Sequence, residues 1–316
     1  WECTMVAALA AGLPGSLGSA AKAAGLAVDK QKNFAGPQLI RYFCKPCSPT
    51  RTNNGRTRNL PQHDPTKWEL FKNYCIQDVE VERALRKALP VLPDPAERKL
   101  WALDQKVNDR GVRVDGVLVK NAIECDRQYR EKMLAEAVAL TGLNNPGSVS
   151  QLKTWLSEAE GVEIERLSKE TVPALLKATE NETVRRVLEL RQELSKTSVK
   201  KYDAMQKAAC DVDRIRGLLQ FYGASRTGRW AGRLVQVQNL PQNHLKDLAL
   251  ARKLARAGRF ETLELLYASV PDVLSQLIRT AFIPAEGKQF IIADFSAIEA
   301  RVIAWLAGET WRQEVF

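Results

Sequence analysis

Ile291-Ile292-Ala293-Asp294-Phe295-Ser296-Ala297-Ile298-Glu299-Ala300-Arg301 is the stretch on which the reading of this sequence turns. Phe290 to Ala293 is an unbroken apolar run, the pattern of a buried strand, and it delivers Asp294 at its end. Ser296 is placed to begin a helix, with Glu299 one turn on and Ile298, Val302 and Trp305 along its apolar side. A carboxylate at a strand terminus suits a divalent metal, because the sheet fixes the acid while the loop side stays open to substrate. Ser296-Ala297-Ile298-Glu299 is also a capping box, in which Glu299 does no more than return a hydrogen bond to the helix start.

Moving outward, Tyr222-Gly-Ala-Ser-Arg-Thr-Gly-Arg-Trp-Ala-Gly-Arg-Leu-Val-Gln-Val-Gln-Asn-Leu-Pro241 combines glycines with arginines. Glycines let backbone approach a ligand closely, and neighbouring guanidinium groups suit phosphates or base edges. Gln238 and Asn239 add neutral groups able to read acceptors in a minor groove. The same stretch also reads as a glycine-rich surface loop with solvated arginines. From Arg214 to Arg259 there are ten basic residues against one acid, Asp247, within a chain of net charge +10. Such a block points to a polyanion, most often nucleic acid, with a solvated helix face as the plainer reading.

A chain of 316 residues accommodates two or three domains. No apolar run approaches the roughly 18 residues of a membrane span, and no secretory signal opens the chain. The six scattered cysteines indicate a reduced, cytoplasmic protein. Cys44-Lys-Pro-Cys47 lacks the second ligand pair a structural zinc site needs. Trp1 in place of Met, and a helical pattern still running at Phe316, read as the ends of a piece of a longer chain.

Before the central stretches the pattern is mostly helical. Ser16 is placed to cap a small-residue helix, and residues 45–65 form a polar loop. A helix is expected over 66–89 with Trp68, Phe71, Cys75, Val79 and Leu85 inside. Pro90, Pro93 and Pro95 mark a linker. Further helices are expected from 96 (stripe Leu100, Leu103, Val107), over 122–140, from 149 to 156, over 183–205 and over 245–268. Val112 to Val114 reads as a short extended stretch. Tyr74-Cys-Ile-Gln-Asp78 puts a phenol and an acid on one helix face, where one orients a water and the other binds metal.

The stretch around Asp294 resembles motif A of family A DNA polymerases, Asp-Tyr-Ser-Gln-Ile-Glu-Leu-Arg, with identity at Asp294, Ser296, Ile298, Glu299 and Arg301. Phe295 stands for Tyr and Ala297 for Gln. By that resemblance Asp294 and the Phe295 carbonyl hold the two Mg²⁺ ions of a nucleotidyl-transfer site. Ser296 and Glu299 face the nucleotide, Glu299 as the gate against a ribose 2′-hydroxyl. Thr227, Gly228 and Arg229 match the family's Thr-Gly-Arg motif, and Gln238, Asn239 and Pro241 match its Asn-Leu-Gln-Asn-Ile-Pro motif. Arg226, Thr227, Arg229, Arg233, Gln238 and Asn239 are thereby DNA contacts, with Arg229 at the primer terminus. The insertion Trp230-Ala-Gly-Arg233 is in the style of phage and prophage members.

Residues 74–78 resemble the last motif of the 3′→5′ exonuclease, assigning Tyr74 and Asp78 as catalytic and Asp78 as a metal ligand. Its partner carboxylates are missing from this sequence, so no proofreading is expected. Leu143 to Ser148 and Leu190 to Lys196 resemble thumb segments, with Lys196, Lys200 and Lys201 as phosphate contacts. His63-Asp64 is not the His-Asp pair of motif C, because it lies in a polar loop ahead of the thumb.

The fold class expected is therefore mixed α/β and mostly helical. Residues 1–93 are expected to be the C-terminal part of an RNase H-like exonuclease domain, 94–212 a helical thumb and 213–316 the first part of a palm. The implied parent extends a primer on a DNA template from deoxynucleoside triphosphates with Mg²⁺, as a monomer away from membranes. The chain itself, without the fingers helix and motif C, is expected to bind DNA without extending it. The other readings are a non-enzymatic DNA-binding remnant of a prophage gene and a helical scaffold with a solvated basic face.

Overall fold

A computed structural model describes residues 2–26, 36–89, 95–168, 170–196, 199–224 and 226–315. The fold is mixed α/β and mostly helical. The linker prolines Pro90 and Pro93, and the terminal residues Trp1 and Phe316, lie outside the described residues.

The first helices are α1 (Thr4–Ala10), α2 (Leu17–Ala23), α3 (Gly36–Cys44) and α4 (Pro65–Ala88). Ser16 caps α2 as expected, its Oγ accepting from the Ser19 N–H at 3.3 Å. Asp64 caps α4, accepting from the Lys67 N–H at 2.9 Å, and His63 accepts from the Leu60 N–H. The His63-Asp64 pair thus shapes a helix start. The buried stripe of α4 is Tyr74, Val81 and Leu85, whereas Cys75 and Val79 are exposed. That corrects the expected face: α3 covers the side carrying Phe71 and Tyr74, with Phe43 stacked on Phe71 at 5.5 Å. Ala7, Ala8 and Ala20 pack with Leu85 and Leu89 in a small core.

Pro95 opens α5 (Pro95–Arg110), followed by β1 (Val112–Val114) and α6 (Gly116–Thr141). Contrary to the expected stripe, Leu100, Leu103 and Val107 are exposed, and the buried residue of α5 is Asp104. Next come α7 (Val149–Glu160), α8 (Thr171–Ala178), α9 (Glu182–Ser195) and α10 (Lys200–Ala208). The helix expected over 183–205 is two, because Lys196 leaves the helical region at ψ 118. Leu152, Leu156, Val184, Val187 and Leu188 form a second core that unites α7, α8 and α9.

The remaining elements are β2 (Arg214–Ile215), β3 (Leu219–Gln220), β4 (Ala231–Gly232), α11 (Leu248–Arg256), α12 (Phe260–Leu266), α13 (Val270–Leu277), β5 (Phe282–Ile283), α14 (Ile298–Leu306) and α15 (Thr310–Val315). The helix expected over 245–268 is likewise divided, at Gly258, whose φ of +67 glycine adopts without a Cβ penalty. An antiparallel sheet runs β2-β1-β5, and β3 pairs β4 as a separate antiparallel hairpin.

The main core gathers Leu118, Ala122, Cys125 and Tyr129 of α6 around Tyr202, Met205, Ala251, Leu263 and Leu274. It joins α6 and α10 to α11, α12 and α13, so segments expected on either side of residue 212 share one interior. Asp115 locks this arrangement. Its carboxylate accepts from the Leu118 N–H at 3.1 Å, from Arg252 at 2.7 Å and from Arg256 at 2.8 Å. Among the described residues no helix is long and apolar enough to cross a membrane.

Candidate nucleic-acid interface and carboxylate site

The glycine-rich stretch is held by anchors spread far along the chain. The turn from Ala224 to Arg229 closes on itself, with the N–H groups of Thr227 and Gly228 donating to the Ala224 carbonyl. Beyond β4, the Arg233 N–H donates to the Leu218 carbonyl at 2.7 Å. Lys201 donates to the Val235 carbonyl at 2.6 Å, and Arg279 donates to the carbonyls of Leu240 and Pro241, each at 3.0 Å. A Cβ on Gly232 would lie 1.8 Å from Gln238 Oε1, so that glycine makes room for the Gln238 side chain. These ties leave Arg226, Thr227, Arg229, Arg233, Gln238 and Asn239 exposed along one loop system.

The carboxylate stretch departs from its expected secondary structure. Phe290 to Ala293 is not a strand, and Ile291 and Ile292 are 89% and 91% exposed. A strand needs lateral hydrogen bonds and cover for its side chains, and no described strand lies alongside this run. The helix begins at Ile298, with Ala297 at a φ of +49 and no side-chain cap. Ile298, Val302 and Trp305 are exposed on it, where a buried side was expected. The capping box is therefore not formed. Glu299 instead accepts from Arg229 Nη2 at 2.8 Å. Asp294 stays exposed, with the Phe295 N–H donating to its Oδ1 at 2.9 Å, and Arg301 holds the Ser296 carbonyl at 2.7 Å.

The Arg229–Glu299 ion pair brings together two residues 70 apart in sequence, one from each stretch that carried the chemistry. Both side chains are exposed, so the pair contributes little to stability and is open to exchange for another partner. Six non-glycine residues among those described have positive φ, and four of them, Tyr222, Leu234, Gln236 and Ala297, lie in these two stretches. Such backbone costs of order 1–3 kcal/mol per residue and gathers where a precise presentation is needed.

Part of the basic block is engaged with internal partners. Arg252 and Arg256 bind Asp115, and Arg214 donates to the carbonyls of Arg110 and Gly111. Lys196 donates to Glu193 at 2.7 Å and to Ser269 Oγ at 2.9 Å, and burial lowers the Lys201 pKa below the usual lysine value. Of the three lysines expected on phosphates, Lys200 is the exposed one. Tyr74 is 5% exposed, its ring lying against Gly36, with Asp78 half-buried one turn on. Among the described residues no three His, Cys, Asp or Glu side chains group as metal ligands. The Cys47 thiol meets the Arg56 carbonyl at 3.5 Å.

Asp104, Asn108 and Arg279 carry loop anchors that the sequence reading missed. The available signal was a lone acid amid the apolar positions of α5.

Comparison with known proteins agrees with the motifs. The family described as DNA polymerase family A matches residues 119–316. A DNA polymerase of Bacillus phage SP02 is 62% identical over the whole of this chain. The chain spans about half, 48%, of the length of that curated relative. A solved structure of the POL domain of Pol1 from M. smegmatis, in complex with DNA primer-template and dNTP, aligns at a TM-score of 0.43 and 18% identity. That alignment covers 92% of this chain and 46% of the other. With most of the chain matched by the family, and both motif-bearing stretches inside the match, this chain belongs to the family A DNA polymerases.

Proposed function

We propose that this chain is the primer–template-binding part of a template-directed DNA polymerase, with the first catalytic carboxylate of that enzyme. The observation that carries the reading is the meeting of Arg229 with Glu299, which puts the loop suited to DNA beside the stretch suited to metal and nucleotide. In this reading residues 1–93 are the C-terminal part of an exonuclease-like domain, 94–212 a thumb and 213–316 the opening of a palm.

Arg229 would contact the primer end in the minor groove, flanked by Arg226, Thr227 and Arg233, with Gln238 and Asn239 reading groove acceptors common to all base pairs. Lys200 would hold backbone phosphate, and the internally bonded Lys196 and Lys201 would add positive potential behind it. Asp294 and the Phe295 carbonyl are hard oxygen donors on an exposed turn, which fits Mg²⁺. Bound there, Mg²⁺ would supply activation of a primer hydroxyl and neutralisation of leaving pyrophosphate. Ser296 and Glu299 would line the position of the incoming deoxynucleoside triphosphate. DNA would draw Arg229 away from Glu299 and leave that carboxylate facing the sugar. Tyr74 and Asp78 would supply the last motif of an exonuclease site, with Asp78 as a metal ligand and Tyr74 orienting a water.

The chain alone is proposed to bind primer–template without extending it, because two-metal transfer depends on carboxylates acting as a unit. Incubation of the pure chain with labelled primer–template, Mg²⁺ and the four deoxynucleoside triphosphates tests this. Retention on the DNA with no primer growth is expected; measurable incorporation would overturn the restriction to binding.

A further inference from the structure

α5 contacts the rest of the molecule in an unusual way: the buried residue of this 16-residue helix is a carboxylate, Asp104, 3% exposed, while Leu100, Leu103 and Val107 face outward. Three neutral donors converge on it. Trp230 Nε1 donates to Oδ1 at 2.8 Å, and Asn108 Nδ2 and Gln105 Nε2 donate to Oδ2 at 3.1 and 3.0 Å. Trp230 directly follows Arg229. Its ring meets Phe221 edge-on at 5.2 Å, which ties it to the far side of the β3–β4 hairpin.

Position 104 needs an acceptor on both sides. Asn108 cannot turn its amide, because Oδ1 accepts from the Leu219 N–H at 2.9 Å and Nδ2 donates to the Leu219 carbonyl at 3.0 Å. Its remaining amide hydrogen must therefore point at residue 104. Trp230 is a donor only. A carboxylate satisfies both neighbours, whereas an asparagine would set an N–H against one of them. Among the described residues, the side chains that donate to Asp104 are these three neutral ones.

We propose that Asp104 is a positioning residue for Arg229: acting through Trp230 and Asn108, it fixes the β3–β4 hairpin so that Arg229 is presented toward primer-terminal DNA. This rests on the DNA-binding reading of Arg229 given above. Asp104 itself touches no DNA in this arrangement.

The test is the affinity of the full 316-residue chain for a fluorescent primer–template duplex, read by anisotropy. Arg229→Ala is expected to weaken binding about tenfold, and Asp104→Asn and Trp230→Phe about three- to tenfold each. Trp230→Phe leaves an aromatic ring to face Phe221 but removes the N–H together with part of the indole, so it tests the strut if Asp104→Asn unfolds. In the Arg229→Ala background, Asp104→Asn is expected to add less than about twofold, since the guanidinium next to Trp230, the one the strut aims, is gone. The double variant Asp104→Asn/Trp230→Phe is expected to bind as well as Trp230→Phe alone, because the asparagine oxygen can then turn to Asn108. Equal losses from Asp104→Asn in both backgrounds would show a general structural role and overturn the proposal. So would an effect of Arg229→Ala with none from Asp104→Asn or Trp230→Phe. Unchanged binding by Arg229→Ala would remove the DNA-binding reading itself, and the proposal with it.

Discussion

At the scale of single residues, the charged groups divide into those used inside and those left for a ligand. Asp115 belongs to the first kind. Burial acts to raise its pKa, but the Leu118 N–H, Arg256 and Arg252 outweigh that and hold it below the usual carboxylate value. A depressed folded pKa means the stabilisation is complete above the unfolded value of about 3.9 and is lost as pH falls through the folded value. Asp115→Ala is expected to cost about 2–3 kcal/mol, from a lost cap and two lost charged hydrogen bonds, measured by urea unfolding at neutral pH. The cost should shrink as the pH is lowered below about 4. A variant equally destabilised at acid pH would show that packing, not charge, makes the contribution. Asp294, Glu299 and Arg229 were legible because their residue types and local spacing carry the signal. Asp104 and Arg279 were not, since their partners lie 126 and 39 positions away and no local pattern encodes such a bond.

At the scale of elements, helix existence was legible and helix ends less so. Capping at Ser16 and the extended stretch at 112–114 were both visible locally. The divisions at Lys196 and Gly258 were not, because apolar periodicity continues across each break while the backbone does not. Gly258→Ala forces a Cβ at positive φ and is expected to cost about 1–2 kcal/mol, seen as a lower urea midpoint with unchanged slope. The apolar run 290–293 shows the opposite failure. Its composition is that of a strand, yet a strand forms only against a neighbour, and none of the described strands supplies one. In the β3–β4 hairpin, Gly232→Ala would drive a methyl group into Gln238. Weaker primer–template binding by about threefold or more is expected, with the helical circular dichroism unchanged. Full-strength binding by that variant would exclude a fixed Gln238 from the interface.

At the scale of the whole molecule, the net charge of +10 overstates what faces a ligand. Arg214, Arg252 and Arg256 are engaged with internal partners, while the exposed Arg226, Arg229, Arg233 and Lys200 are the cations the proposed reading puts on DNA. Binding should therefore engage on the order of four phosphates, giving a log–log salt slope near about −3.6. A slope near about −9 would require the whole basic block to touch DNA. The order of segments along the chain was legible through motifs. The sharing of one core by α6, α10, α11, α12 and α13 was not, because it depends on which apolar faces meet rather than on which exist.

The most direct measurement places 2-aminopurine either at the primer 3′ end or about ten base pairs upstream and follows its fluorescence as the chain is added. A change at the terminus that Arg229→Ala abolishes, with little change upstream, is the expected result. Equal changes at both positions, indifferent to Arg229→Ala, would contradict the assignment of this loop to the primer end.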